Sequence, residues 1–344
     1  IGASSELSDL IRRNSLKFVL LESPLQSSFG SNMLKLYDDA SVFACTKEYL
    51  AKEKNTVNIH NKYTKELRQQ ISALVNNTVI PQKIEGGMNH ETYLKIKYAL
   101  LRIKESDLRE DLRDEFIITA QSILNLLNTA VFSMEKIEYY IKNENIRHMI
   151  ISPKKRIEYL WELSDKAEVL QDLCTMISDS LEQQYINMLT STPKEIFLQN
   201  FIENHRSDRI AVIVPKAYYA DLLRLTIIKR WVHSNVTYIT PSRFNSKNNY
   251  DIVIIVGGIK HRKFDLMSCF SSTQVCVLLY ECEEADFTYH RKKIQTFTNS
   301  LNTKIGLLNN RNVLLDSIET QRSEQEIQKF ATLDEYIDNL SKIG

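Results

Sequence analysis

A chain of 344 residues, 43% apolar and 25% charged, is long enough for two or three domains and too apolar for wholesale disorder. Its formal net charge of +1 excludes a bulk polyelectrolyte. Residues 191–305 nevertheless carry 16 Lys and Arg against 10 Asp and Glu, a local +6 that leaves −5 for the remainder.

The first apolar run, Leu16–Leu21, reads as a strand, followed by a break over Ser23–Ser31 with Pro24 and Gly30. It has no neighbouring strand in its own segment, and the chain begins at Ile1 rather than Met. Residues 1–60 are therefore expected to belong with an upstream α/β domain, with Leu16–Leu21 pairing outside the later sheet. From Asn61 to Thr190 apolar residues recur at three- and four-residue spacing, as in Lys65–Val75, Glu91–Ile103 and Leu112–Val131. Pro81 and Gly86-Gly87 punctuate the first join, and Pro153 the last. Beyond Pro153 a seam of Leu160, Leu163, Ala167, Leu170, Cys174, Ile177, Leu181, Gln184 and Met188 suits a helix packed on its neighbours, or an arm of a coiled-coil hairpin.

A boundary is expected at Ser191-Thr192-Pro193, with Thr192 capping a helix and Pro193 at its first position. Short β-branched strands follow at Arg209–Val214, Val236–Thr240, Asp251–Val256 and Val275–Tyr280. Helices are expected at Ala217–Trp231 and Ala285–Asn299. Strands of continuous apolar composition between helices predict a buried parallel sheet over 191–305. The fold class is thus α/β with a large all-helical region, and 306–344 is an acidic helical tail.

Several chemistries lack their signatures. There is no G-x-x-x-x-G-K-[ST] loop to cradle phosphates, and no G-x-G-x-x-G, H-E-x-x-H or G-x-S-x-G. No metal site is expected. Five irregularly spaced cysteines without a C-x-x-C pair argue against a disulfide framework. No apolar run approaches the ~20 residues of a membrane span. A cytoplasmic protein with reduced thiols and no membrane partner is expected.

The order of elements, with "RIAVIVPKAYYADLL", "VTYITPSRFNSKNNYDIVIIVGG" and "VLLYECEEADF", resembles the second RecA-like domain of superfamily 1 helicases over about a third of the chain. A helical segment ahead of such a domain is also similar to DISARM-associated antiphage proteins of the DrmE type. The resemblance implies a nucleic-acid-binding component of a defence or repair system, with other protein subunits as partners. Two departures imply a degenerate motor half. The family's Lys-Gly pair is replaced by Asn245–Asn249, and the arginine that faces the ATP γ-phosphate aligns with Ala285. No cofactor is expected, ATP entering only if an upstream domain supplies its site, and the chain is not expected to be catalytic on its own.

Parallel sheets place ligands beyond the carboxyl ends of their strands. Lys216, Ser242 and Arg243 follow strands there, as do Lys260, Arg262 and Lys263, with His261 among them. All six are the expected nucleic-acid ligands, and Phe244 or Trp231 could supply stacking surface. The cluster His290–Lys293 reads as the polar face of a helix. Two alternatives remain, an interaction scaffold using the helical region and an enzyme holding a small nucleotide at the strand ends.

Overall fold

The computed structural model describes residues 9, 12–14, 41, 44–52, 61–143, 150–228, 235–245, 248, 250–258, 272, 274–306 and 320–343. The strand expected at Leu16–Leu21 lies outside the described residues, as do Trp231 and 259–271.

Two short pieces open the described chain, α1 (Lys47–Lys52) and α2 (Lys62–Asn76). Next come β1 (Thr78–Lys83), α3 (His90–Lys104), α4 (Glu110–Thr129) and α5 (Met134–Lys142), then α6 (Pro153–Lys166), α7 (Gln171–Asn187) and α8 (Pro193–Asn204). The α/β portion holds β2 (Ile210–Ile213), α9 (Ala217–Ile228), β3 (Val236–Ile239), β4 (Ile252–Val256), β5 (Gln274–Leu279) and α10 (Glu281–Lys304). It is followed by α11 (Thr320–Ile343). The expected parallel sheet is present, and all four pairings are parallel, in the order β1-β5-β4-β2-β3.

Helix starts follow their local chemistry. Asn89, Ser133, Ser152 and Thr192 each accept a backbone N–H of the following turn with the side-chain oxygen. Thr192 and Pro193 take the positions expected of them. The seam beyond Pro153 does not run as one helix. Ala167 leaves helical geometry at φ −92, ψ 53, and a single 3₁₀ turn Glu168–Leu170 reverses the chain. Its halves fold back on each other, with Ser164 Oγ 2.8 Å from Ser178 Oγ and Trp161 Nε1 donating to Glu182 at 3.0 Å. Most seam residues are buried, Leu160, Leu163, Cys174, Ile177 and Leu181 almost completely.

β1 was not foreseen. Pro81 reads as a breaker, yet it lies mid-strand on the sheet's edge. Ile84 N–H donates to Leu279 O at 2.8 Å, so even-numbered residues of this segment turn their backbone groups toward β5. Pro81 therefore presents its missing N–H to the outside, where it removes a donor that a further strand would need. At the opposite edge the outward carbonyl of Tyr238 accepts from Arg224 Nη2 at 2.7 Å.

The sheet's two faces serve different cores. Ile210, Val212, Ile252, Ile254, Cys276 and Leu278 pack into one core with Ile96, Leu100, Phe116, Leu124, Leu160 and Leu181 of the helices. Ala211, Ile213, Val253, Ile255, Val277 and Phe287 form a smaller core on the other face. Residues 72–288 and 319–344 accordingly make one compact unit, and the boundary expected at 190/191 falls inside it. The helices are the layer that covers one face of the sheet. The tail helix α11 belongs to the same unit, with Leu333 buried, Asp334 paired to the buried Lys97 at 2.9 Å and Phe330 edge-on to Tyr98.

The second unit comprises 1–71 and 289–318. Within it Thr46 Oγ1 donates to Asn302 Oδ1 at 2.6 Å, and Asn302 Nδ2 donates to Glu48 at 3.1 Å.

Candidate nucleic-acid interface

Strand order locates the crevice. From β2 the chain passes through α9 outward to β3, whereas from β4 it turns the opposite way to β5. The carboxyl ends of β2 and β4 are thus the point where the winding diverges, the usual ligand crevice of an open parallel sheet. Val214, Pro215 and Lys216 leave β2 there, and Gly257-Gly258 leave β4. Gly257 holds φ +74, and a Cβ on it would stand 2.8 Å from Glu283 Oε1 and 3.2 Å from Thr129 Cγ2. A Cβ on Gly258 would meet only open space.

Lys216 is exposed, yet enough protein surrounds its ammonium that burial, with the nearby Arg156 guanidinium, holds its pKa below the ordinary lysine value. Arg243 is exposed at the end of β3, one strand over, in the turn Pro241–Arg243. Neither cation has a carboxylate within ion-pair distance among the described residues. Ser242 is exposed beside them, its hydroxyl 3.1 Å from Thr240 Oγ1. The structure therefore brings Lys216, Ser242 and Arg243 to the ends of two adjacent strands. Lys260, Arg262 and Lys263 lie outside the described residues. Phe244 is half-buried and stacks on Tyr250 with ring centroids 6.3 Å apart, so much of its ring is already covered.

Beneath this mouth sits a polar cluster that sequence reasoning missed. The Lys194 side chain, wholly buried, donates to Glu283 Oε2 at 2.5 Å and Asn128 O at 2.6 Å, and stands 4.1 Å from the Tyr280 ring centroid. The arrangement joins two helix ends. Asn128 O is among the last carbonyls of α4, which lack partners within the helix, and a cation suits that terminus. Glu283 stands in the first turn of α10 and reaches back to accept Tyr280 N–H at 2.8 Å. Gly87 lets the backbone lie against the Tyr280 ring, since a Cβ there would fall 2.2 Å from Tyr280 Cδ1. Nearby, burial pushes the Cys282 thiol up to about 12. Each group is unremarkable in sequence, and only their convergence marks the place.

Ala285, where the resemblance expects an arginine, is exposed on α10 just after Glu281, Glu283 and Glu284. Those acids suit the positive end of the helix and give a phosphate no purchase there. Of the basic cluster at 290–293, Arg291 and Lys292 are exposed on α10. An open groove of about 320 Å³ lies elsewhere, between α3 and α7, lined by Leu94, Tyr98, Ala99, Leu173 and Met176. Glu91, Lys95 and Arg102 also line it, and the surface it exposes is mostly apolar. Among the described residues no single helix is long and apolar enough to cross a membrane.

Fold and site together define an α/β protein with an all-parallel sheet, one face of it covered by a large helical layer. No family model matches the chain, and no curated protein matches it in sequence.

Proposed function

We propose that this chain is a nucleic-acid-binding, helicase-like module of a defence or repair system, one that recognises phosphates without turning over nucleotide by itself. The observation that carries the reading is the placement of Lys216 and Arg243 at the carboxyl ends of adjacent strands, both without a carboxylate partner among the described residues. Cations held at such a mouth release counterions from a phosphate backbone and position it without reading sequence. Lys260, Arg262 and Lys263 follow β4 in sequence and add to the positive charge of this segment. The missing phosphate loop and the alanine at 285 leave phosphoryl transfer without positioning or charge stabilisation.

Titration of single-stranded and duplex DNA and RNA at several salt concentrations tests the reading. The double variant K216A/R243A should weaken binding evenly across sequences and lower the salt slope by roughly 1.5–2. Salt-independent binding, or a double variant that binds like the parent, overturns it.

The groove between α3 and α7 supports a second reading, a scaffold that docks an apolar segment of another subunit. In that case M176E abolishes partner capture while nucleic-acid binding is absent from the start.

A further inference from the structure

Two apolar surfaces of the chain match each other in shape and charge. The first is α2. Asn61 starts it, with Oδ1 accepting Tyr63 N–H at 2.9 Å, and none of its fifteen residues is buried. Tyr63, Leu67, Ile71 and Leu74 nonetheless recur at three- and four-residue spacing, an apolar stripe along one face. Ile71 and Leu74 are half-buried, whereas Tyr63 is 77% and Leu67 55% exposed. A lone exposed leucine is ordinary on a surface, but these two stack one turn apart and form a ridge. The second surface is the open groove between α3 and α7, where Leu94, Tyr98, Leu173 and Met176 supply the apolar walls.

The charges beside ridge and groove correspond. On the α3 wall Arg102 is exposed and in no ion pair among the described residues, while Lys95 is taken by Glu91 at 2.7 Å. On α7, Asp172 and Asp179 stand four before and three after Met176, both exposed and in no ion pair among the described residues. The groove thus has a basic wall and an acidic wall. On α2, Glu66 borders the stripe on one flank and Arg68 on the other. A helix laid in the groove with Glu66 toward α3 and Arg68 toward α7 meets opposite charge on both sides. Turned end for end, it would set like charges face to face.

We propose that the groove between α3 and α7 receives α2 of a second copy of this chain, with Tyr63 and Leu67 seated against Tyr98 and Met176. The inference rests on the groove-docking reading given second above, names its partner, and is independent of nucleic-acid binding. Helix and groove are different surfaces, so the contact is heterologous, and each copy offers one of each.

Sedimentation velocity of the full chain over a concentration series reads the contact directly. The parent's mass should rise with concentration. L67E and M176E should each weaken association at least about thirtyfold, as loss of a central interface side chain does. L67E keeps its groove and M176E keeps its helix, so an equimolar mixture should form a one-to-one pair that neither forms alone. E66R and R102E should each loosen association about threefold, and E66R/R102E should recover it. A parent that is monomeric at every concentration overturns the proposal. So does loss of association in only one of L67E and M176E, since the contact then lacks either the helix or the groove. A monomeric parent that captures another protein, and loses it in M176E, removes the second copy as occupant and leaves the docking reading standing. Should M176E fail to fold, L94E tests the groove wall, and association like the parent's in that variant overturns the proposal.

Discussion

Removal of the Lys194 ammonium tests the account of the polar cluster most directly. In K194M the side chain keeps its length and apolar stem, while Glu283 loses the donor at 2.5 Å and Asn128 O the donor at 2.6 Å. Glu283 is then a carboxylate only 13% exposed, with the Tyr280 N–H as its remaining partner in the cluster. Breaking a buried pair from one side costs about 3–5 kcal/mol, because the surviving charge stays desolvated. Against a total stability of about 5–15 kcal/mol, that is a large fraction. E283Q should cost a similar amount, since it leaves the wholly buried ammonium with neutral acceptors and a ring face but no counter-charge. K194M/E283Q removes both charges, so its loss should fall short of the sum of the single losses by about 2 kcal/mol. Urea unfolding followed by far-ultraviolet circular dichroism gives all four stabilities, provided the m values agree. Single losses below about 1 kcal/mol that add within ~0.5 kcal/mol would refute the reasoning. The pair would then be a contact the fold does not depend on.

Further outcomes follow from single positions. G257A should destabilise by about 1–3 kcal/mol, from its positive φ and the 2.8 Å approach to Glu283, whereas G258A next to it should change the melting temperature little. P81V restores an outward N–H on the edge of β1 and should raise self-association in sedimentation velocity, with the monomer's fold unchanged. Asp251 is held below the usual carboxylate range by the Arg209 backbone N–H first and its side chain second. Its contribution is therefore complete above about pH 4 and disappears as pH falls through the lower folded value. Because the pair is half-exposed, D251N should remove less than about 1 kcal/mol from the acid side of the stability–pH curve. An acid limb identical to the parent's would count against the assignment.

The sequence by itself determined the class of the α/β portion and most of its strands. β2 and β4 are apolar throughout, and β5 from Val275 on, because both faces of the sheet are covered, and four or five such residues between helices have little other use. Thr192 and Pro193 were legible for the same reason, since a cap acts through its immediate neighbours. Lys216, Ser242 and Arg243 could be placed at strand ends because they directly follow strands. Other features were decided by distance in sequence rather than by neighbours. Pro81 is tolerated in β1 because that strand is an edge, and only its pairing with residues 274–279 makes it one. The seam beyond Pro153 has a continuous period, yet Ala167 breaks it, and its two halves fold back to place their apolar residues in one core. Lys194 meets Glu283 across 89 positions. Local patterns record which face of an element is apolar. Which charges converge is settled by how those faces stack, and that is a property of the packed chain alone.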